Sequence, residues 1–284
     1  MGSNSVEFIV VTFYYDLAQF YMLCLSIKKH HNKKYKIRIV YNYDDDTELD
    51  AADDFLKIID NHLSEFDVEY IIKPPELNGE GWDTQQLLKW YLAYTSTVEW
   101  QVVLDSKNFY IKPFDLLDTL DFKEIPGFEF PDKQKWIQQE LDRSFKFLEE
   151  YQPEPPQKYS AMTPWIWNTN KIKEMLDTVW PDSSWKKLKK LPGTEWFLYL
   201  GWIGNSIKYH PYQLVSGIWG ECISDISTDN VMFTEYSNIC FWTHHRFATS
   251  DNALAITESI IRGSNIATEI EIAQWQYYSN LNNL

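Results

Sequence analysis

Four short apolar segments, separated by helical patterns, constrain the fold of this chain more than any other feature. The first, VEFIVVT, is apolar at nearly every position, which is typical of a strand buried on both faces. The alternation predicts an α/β domain with a mostly parallel central sheet flanked by helices, of the Rossmann type. The predicted strands are 6–12, 35–41, 68–72 and 101–104, and the helices between them are 17–30, 51–66 and 82–96.

The pattern becomes less regular after Pro113, although no repeat or linker divides the chain. The breaker PEPP at 153–156 ends a long predicted helix. We therefore expect a single domain, 1–284, whose second half completes a cleft. The predicted helices of this half are 133–151, 171–179, 194–200, 252–261 and 267–278, and the predicted strands are 160–168 and 239–243.

Composition and charge narrow the class of protein. An apolar fraction of 44% with 17% aromatic residues is not that of a disordered chain. The net charge of −15 opposes non-specific binding to nucleic acid. Two basic islands, 27–38 and 185–190, are either solvated surface or a local contact for an anionic molecule. No apolar run is long enough to span a bilayer, so a cytoplasmic protein is expected.

The stretch VVLDSKNFYI (102–111) is the first place to look for a site. Open α/β sheets bind ligands beyond the carboxyl ends of their strands, which here means the turns after Thr12 and Leu104. The second turn contains a carboxylate, a cation and an amide, at Asp105, Lys107 and Asn108. The alternative is an ordinary strand end with a solvated lysine.

The segment from LDS to YIKPF (110–114), with a short strand after the turn, resembles the region around the Asp-x-Asp motif of GT-A glycosyltransferases. With GWDTQQLLKWYLAY (81–94), SAMTPWIWN (160–168) and PGTEWFLYLGW (192–202) in this order, it is similar to a phage and bacterial family of glycosyltransferase-like proteins, over 7–247. The resemblance implies a GT-A-like domain with a nucleotide-sugar-binding half (5–120), an acceptor-binding half (121–250) and a helical tail (251–284).

The resemblance also implies a reaction. A sugar would move from a nucleotide sugar, with a UDP-sugar as the expected donor, to a hydroxyl of an acceptor. The acceptor would be a glycan or, if the protein is encoded by a phage, a hydroxymethylated DNA base. A phage protein would act in the cytoplasm of its host. Two alternatives are a catalytically inactive GT-A-like module that binds a glycan or nucleotide, and a nucleotidyltransferase. The second is disfavoured because VTFYYDLAQF lacks the glycines of a phosphate loop.

The metal site of the resembling enzymes is altered in this sequence. GT-A enzymes offset the charge of the leaving diphosphate with a divalent cation bound by Asp-x-Asp. Asp105 occupies the first acidic position, but Lys107 occupies the second. Either Asp105 binds Mn²⁺ or Mg²⁺ with help from Asn108 or His244, or Lys107 itself supplies the positive charge. The neighbouring His245 and Arg246 are predicted to contact the diphosphate or the metal.

Other residues are assigned to the donor by the resemblance. The turn 12–16 would hold the base or ribose, with Tyr14 stacking on it unless Tyr14 belongs to the core. Asp83 and Gln86 are predicted to open the helix 82–96 as a capping box. Lys89 of this helix would lie near the phosphates, or else it is an exposed lysine of an amphipathic helix. The full predicted set for the donor is Thr12, Tyr14, Asp16, Trp82, Gln85, Gln86, Lys89, Asp105, Ser106, Lys107, Asn108, His245 and Arg246, with Gly81 beside it.

A second predicted group concerns the acceptor. Glu195 stands among aromatic residues at the start of a short helix. There it either caps that helix, binds the acceptor sugar, or works as the general base with which an inverting transferase takes the proton of the acceptor hydroxyl. Catalysis is therefore assigned to Glu195 and Asp105. Trp165 and Trp167 offer flat faces for a sugar or base, or else belong to the core.

Overall fold

The structure, a computed structural model, is built around one five-stranded sheet of order β3-β2-β1-β4-β7. It describes residues 6–31, 35–77, 81–111, 113, 124–129, 135–151, 163, 165–204, 208–213, 241–243 and 251–281. The first four strands pair in parallel, whereas β7 pairs antiparallel to β4. The predicted α/β class and the mostly parallel sheet are confirmed. The strands of this sheet are β1 (Val6–Phe13), β2 (Lys36–Asn42), β3 (Asp67–Ile72), β4 (Trp100–Asp105) and β7 (Trp165–Asn168).

Helices cover both faces of this sheet. They are α1 (Leu17–His30), α2 (Asp46–Asp50), α3 (Ala52–His62), α4 (Gly81–Tyr94), α5 (Lys135–Leu148), α6 (Thr169–Val179), α7 (Glu195–Ile203), α8 (Asp251–Ser264) and α9 (Glu269–Leu281). Two small sheets pair β5 (Asn108–Tyr110) with β9 (Phe241–Thr243) and β6 (Glu124–Glu129) with β8 (Lys208–Gln213). No helix among the described residues has both the length and the apolar character needed to cross a membrane.

Alternate residues of β1 enter two separate cores, which explains its continuous apolar sequence. Phe8 and Val10 pack into the core that includes α1, α3, α8 and α9. Ile9 and Val11 pack into the opposite core, under α4, α6 and α7. Because side chains alternate between the faces of a strand, a strand covered on both faces must be apolar at successive positions.

Several predicted boundaries move in the structure. The short strand predicted over 110–114 is wrong in position, because β5 begins already at Asn108. The helix predicted over 51–66 is shorter, and a separate turn of helix, α2, precedes it because the Asp45 side chain accepts from the backbone N–H of Glu48. The capping box is also wrong. Since α4 begins at Gly81, Asp83 lies inside the first turn, and its Oδ1 accepts from the Leu191 N–H at 3.3 Å.

A row of polar side chains crosses the face of the sheet beneath the last turn of α4. The buried Arg38 guanidinium donates to the Leu92 carbonyl oxygen at 2.6 Å and to Thr95 Oγ1 at 2.9 Å, and it lies 3.6 Å from Glu7 Oε1. Gln101 Nε2 donates to the same Glu7 oxygen at 2.5 Å. Buried charges are tolerated only when they are paired in this way. The row therefore ties the carboxyl end of α4 to the sheet.

We expect Arg38→Met to destabilise the protein by about 3–5 kcal/mol, because it leaves the buried Glu7 carboxylate without its cation. The double variant Glu7→Gln/Arg38→Met should recover part of that loss. Urea unfolding at pH 7 measures both, with Lys57→Met, in an exposed pair with Asp54, as the control that should not change. Equal stability of Arg38→Met and the wild type would show that this row does not hold α4.

Candidate active site

A cavity of about 460 Å³ opens at the carboxyl ends of β1 and β2, beside the first turn of α4. This is the edge at which the sequence predicts a ligand. Because α4 runs back along the sheet, its amino end, with the positive end of its dipole, faces the opening. The cavity is lined by Val11, Phe13, Tyr15, Asp16, Asn42, Asp44, Glu48, Gly81, Trp82 and Gln85.

Aromatic side chains stand at the rim of this cavity. Trp82 is 50% exposed, and Tyr15 is also exposed. The interpretation of Tyr14 as a core residue is wrong, since it is 38% exposed and meets the Tyr15 ring edge-on at 4.9 Å. Tyr15, rather than Tyr14, is among the lining residues. Exposed rings beside a cavity can stack on a flat ligand.

The polar lining of the cavity consists mostly of hydrogen-bond acceptors. Asn42 is buried, and its Oδ1 has no hydrogen-bond partner among the described residues. The carboxylates of Asp16, Asp44 and Glu48 surround the same space. A buried acceptor without a partner is unfavourable until a ligand donates to it. The arrangement suits a ligand that presents hydroxyl or N–H groups.

Sequence reasoning missed Asn42, Asp44 and Glu48, although a signal for them exists. The rule that ligands bind beyond the carboxyl ends of strands applies equally to the end of β2, where Asn42 is the last residue. By contrast, the predicted Thr12 is fully buried and does not line the cavity, whereas Asp16, Trp82 and Gln85 do.

The turn after β4 is fixed by its own side chains. Asn108 Oδ1 accepts from the Asp105 backbone N–H at 2.9 Å, so this amide oxygen closes the turn. Asn108 Nδ2 donates to the Thr163 carbonyl oxygen at 3.4 Å. Ser106 Oγ donates to Asp16 Oδ2 at 2.6 Å, which joins the turn to the cavity wall. The turn after β4 therefore adjoins the wall of the cavity.

Lys89 is the centre of a buried charge cluster. Its Nζ lies 2.8 Å from Asp105 Oδ1 and 2.9 Å from Glu195 Oε1, and only 4% of the residue is exposed. The interpretation of Lys89 as an exposed lysine is wrong. Burial would lower the pKa of Lys89, but the two carboxylates raise it well above its ordinary value. The ammonium group is therefore charged at neutral pH.

Asp105 faces cations through both of its oxygens. Its Oδ2 lies 3.2 Å from Lys107 Nζ and accepts from Thr163 Oγ1 at 2.9 Å. Its Oδ1 contact with Lys89 is a close ion pair without the alignment of a hydrogen bond. Burial would raise the pKa of Asp105, but Lys89 and Lys107, together with the Thr163 hydroxyl, hold it well below its ordinary value.

Glu195 enters this cluster from the first position of α7. It does not cap the helix, because the Thr194 side chain does so by accepting from the Phe197 N–H at 3.1 Å. Gln86 Oε1 accepts from the Glu195 backbone N–H at 3.0 Å, so α4 fixes the start of α7. The predicted Gln86 therefore positions Glu195.

The two predicted stacking tryptophans are both buried. Trp167 is fully buried, and its Nε1 donates to Gln101 Oε1 at 2.8 Å, so the core interpretation is confirmed for it. Trp165 stacks on Trp196 with ring centres 4.7 Å apart, and Lys89 Nζ lies 4.9 Å from its centre. Trp165 thus supports the buried ammonium through a cation–π contact.

The described residues do not fit a divalent metal at Asp105. Within the ranges that the structure describes, no group of three or more His, Cys, Asp or Glu side chains could hold a metal ion. The second acidic position is Lys107, and a metal on Asp105 would stand beside two ammonium groups that repel it. The predicted ligand His244 and the predicted contacts His245 and Arg246 lie outside the described residues.

The architecture matches glycosyltransferases of known structure. The bifunctional glycosyltransferase WbbM aligns with a TM-score of 0.56 and 14% identity, over 98% of this chain and 52% of WbbM. The galactosyltransferase LgtC, in complex with donor and acceptor sugar analogues, aligns with a TM-score of 0.53 and 12% identity, over 91% of this chain and 99% of LgtC. TarS of S. aureus aligns with a TM-score of 0.48 and 13% identity, over 96% of this chain and 42% of TarS.

The likenesses to WbbM and LgtC define the fold. The domain has the GT-A fold of glycosyltransferases, as the sequence predicted. The chain spans about half of WbbM and less than half of TarS. No protein-family model matches the sequence, and no curated protein matches it significantly. Membership in the phage and bacterial family stays a prediction.

We expect Asp105→Asn to lower the free energy of unfolding at pH 7 by about 3 kcal/mol, because it breaks a buried ion pair. The pKa of Asp105 is lower in the folded than in the unfolded state, so its stabilisation is complete above the unfolded value of about 3.9 and is lost as the pH falls through the folded value. The difference between the variant and the wild type should therefore shrink below about pH 4.

Urea unfolding curves from pH 7 to pH 3 measure this difference. Asp54→Asn, in an exposed pair with Lys57, is the control whose stability should follow that of the wild type at each pH. A constant difference between Asp105→Asn and the wild type over this range would contradict the ion-pair interpretation.

Proposed function

We propose that this protein is a glycosyltransferase that moves a sugar from a nucleotide sugar to a hydroxyl of an acceptor. The observation that carries the proposal is a cavity lined by aromatic residues and acceptors, whose wall residue Asp16 accepts a hydrogen bond from Ser106, the neighbour of Asp105 in the Lys89 charge cluster. Both lie at the carboxyl edge of a GT-A sheet, where such folds bind ligands. The fold alone does not define an activity, so the proposal depends on this site.

The cavity would hold the nucleoside of the donor. Its base would lie against Trp82 and Tyr15, whose rings are exposed at the rim. The hydroxyls of the ribose and the N–H groups of the base would donate to Asn42 and to the carboxylates around it. With these acceptors, a uridine donor is accommodated through its ribose and its single ring N–H.

The charge cluster would hold the transferred sugar. Asp105, Lys89 and Glu195 offer both acceptors and donors in a buried setting, where hydrogen bonds to hydroxyls are strongest. In the transfer, the bond between the anomeric carbon and the diphosphate oxygen breaks, and its electron pair leaves with the diphosphate. The acceptor oxygen bonds to the anomeric carbon, and its proton goes to a base.

Glu195 is our proposed base, with Asp105 as the second catalytic carboxylate. Glu195 Oε1 lies 2.9 Å from Lys89 Nζ, and this contact orients the carboxylate within the cluster. At 3% exposure, it could receive a proton only from a hydroxyl that enters the site itself. This enclosure would protect the donor from reaction with bulk water.

A glycan is favoured over DNA as the acceptor. Lys28 and Lys29 lie in the last turn of α1, which begins at the carboxyl edge and runs back along the sheet for about 20 Å. These two lysines of the first basic island therefore lie at the edge opposite the site. The second island, around Lys189, approaches the site through Leu191 and Asp83, but the net charge of −15 opposes a polyanion.

A GT-A-like module that binds a nucleotide without catalysis is the alternative. The presence of Lys107 at the second acidic position is the observation that favours it, since the resembling enzymes use a carboxylate there. The two functions differ in one respect. An enzyme releases the nucleoside diphosphate from its nucleotide sugar, by transfer or by slow hydrolysis, whereas a binding module leaves the nucleotide sugar intact.

We expect nucleotide sugars to raise the melting temperature, because a ligand of the folded state stabilises it by mass action. Trp82→Ala should weaken binding about tenfold, since base stacking on an aromatic ring contributes about 1–3 kcal/mol. A panel of UDP-, GDP-, CDP- and ADP-sugars in thermal shift and titration calorimetry measures both effects. Tyr277→Ala removes a 58% exposed ring on α9 and is the control that should bind like the wild type.

The proposed donor site would be contradicted if the protein bound none of these nucleotide sugars. It would also be contradicted if Trp82→Ala bound them as tightly as the wild type.

For Glu195→Gln, a general-base role predicts a fall in kcat of about 10²–10⁴ with little change in donor affinity. The glutamine can still accept from Lys89 through its oxygen, so the fold should persist. Release of nucleoside diphosphate and the donor dissociation constant, measured on the same preparation, give the two quantities. An unchanged kcat would remove Glu195 from the chemistry and leave it as a support for Lys89.

A further inference from the structure

We infer that Lys107 replaces the divalent cation of the site, and that its ammonium group binds the diphosphate of the donor. This inference rests on the proposed function, because it concerns the phosphates of the same nucleotide sugar. It assigns the phosphate contact to a side chain of this protein and makes donor binding independent of Mn²⁺ and Mg²⁺.

Among the residues that the structure describes, the formal charges of the cluster cancel. Asp105 and Glu195 carry two negative charges, and Lys89 and Lys107 carry two positive charges, so the sum is zero. An aspartate at position 107 would give three carboxylates against one ammonium group, a sum of −2, which one divalent cation would neutralise. The lysine at this position therefore removes the excess negative charge of these side chains, which would otherwise attract a divalent cation.

Both carboxylate oxygens of Asp105 already contact other side chains. Oδ1 lies 2.8 Å from Lys89 Nζ, and Oδ2 lies 2.9 Å from Thr163 Oγ1 and 3.2 Å from Lys107 Nζ. Divalent magnesium or calcium takes six or more oxygen ligands in proteins. To bind at Asp105, such an ion would have to displace Lys107 and to approach the Lys89 ammonium group.

The two lysines differ in what they can reach. The Lys89 side chain is 5% exposed and enclosed between two carboxylates, so it holds the cluster together. The Lys107 side chain is 23% exposed, and it stands on the turn that Asn108 closes. Next to it, Ser106 donates to Asp16 of the cavity wall. Lys107 is thus the ammonium group that can face a diphosphate whose nucleoside fills the cavity.

The same geometry explains how the ammonium group can serve the phosphates. Asp105 retains Lys89 and Thr163 as partners when a phosphate oxygen accepts from Lys107 Nζ. An ammonium group has three N–H donors, so Lys107 can contact the carboxylate and a phosphate oxygen together. As the bond to the sugar breaks, the diphosphate gains negative charge, and the contact with Lys107 becomes stronger. No bond to the lysine forms or breaks.

Titration calorimetry with UDP and GDP tests the inference on the full chain. Each titration is made in EDTA and again with Mn²⁺ or Mg²⁺, for the wild type, Lys107→Met and Lys107→Asp. Lys171→Met is the matched control, because Lys171 also forms a carboxylate pair, with Glu174 at 2.8 Å, but on α6 and outside the site. Thermal unfolding of each variant checks that it is folded.

For the wild type, we expect dissociation constants in EDTA and in Mn²⁺ that agree within about twofold, since no metal takes part. Lys107→Met should bind at least about tenfold more weakly in both conditions, as the loss of a charged hydrogen bond implies. Lys107→Asp restores the two carboxylates and should bind at least about tenfold more tightly with Mn²⁺ than in EDTA. Lys171→Met should match the wild type.

Tighter binding of the wild type with a metal, by tenfold or more, would overturn the inference and leave the proposed function standing. Equal binding by Lys107→Met and the wild type in EDTA would also overturn it. A wild type that binds neither UDP nor GDP under any condition would refute the donor site itself, and this inference with it.

Discussion

The buried ammonium group of Lys89 is the interaction on which the site depends. It joins three elements that are distant in the sequence, since α4 supplies the lysine, β4 supplies Asp105 and α7 begins with Glu195. A charge removed from water is stable only with close partners, so the three elements must meet within about 3 Å of one atom. The position of α7 on the sheet follows from this requirement.

The face of the sheet under α4 is polar at both ends and apolar between them. Arg38 holds the last turn of the helix near the amino ends of the strands, and Lys89 holds its middle turn near the carboxyl ends. Ile9 and Val103 fill the space between. Two polar anchors on an apolar face determine both the rotation and the axial position of α4. The amino end of the helix is thereby placed at the mouth of the cavity.

Local patterns predicted much of the fold but less of the site. The mostly parallel sheet and its flanking helices follow from periodicity and the connectivity of α/β sheets, and the structure confirms them. A cavity lies at the edge where the sequence predicts a ligand. The alternative prediction that Lys89 is exposed was wrong, because an amphipathic pattern assumes that only one face of a helix is covered. Here α7 and β7 cover the second face also. Asn42 was missed because the end of β2 was not considered, whereas Tyr15 lies in the predicted turn 12–16, where Tyr14 was chosen instead.

The sequence by itself determined that this chain forms a mostly parallel sheet and that Asp105 and Lys107 stand at its carboxyl edge. Alternation of apolar segments is sufficient for this, because each segment must bury its own faces. Only the tertiary structure decided the partners of these charges: Lys89 between two carboxylates, and Thr163 and Lys107 on one oxygen of Asp105. Lys89 and Glu195 are 106 positions apart, and a charge pair depends on distance in space. No local pattern contains that distance.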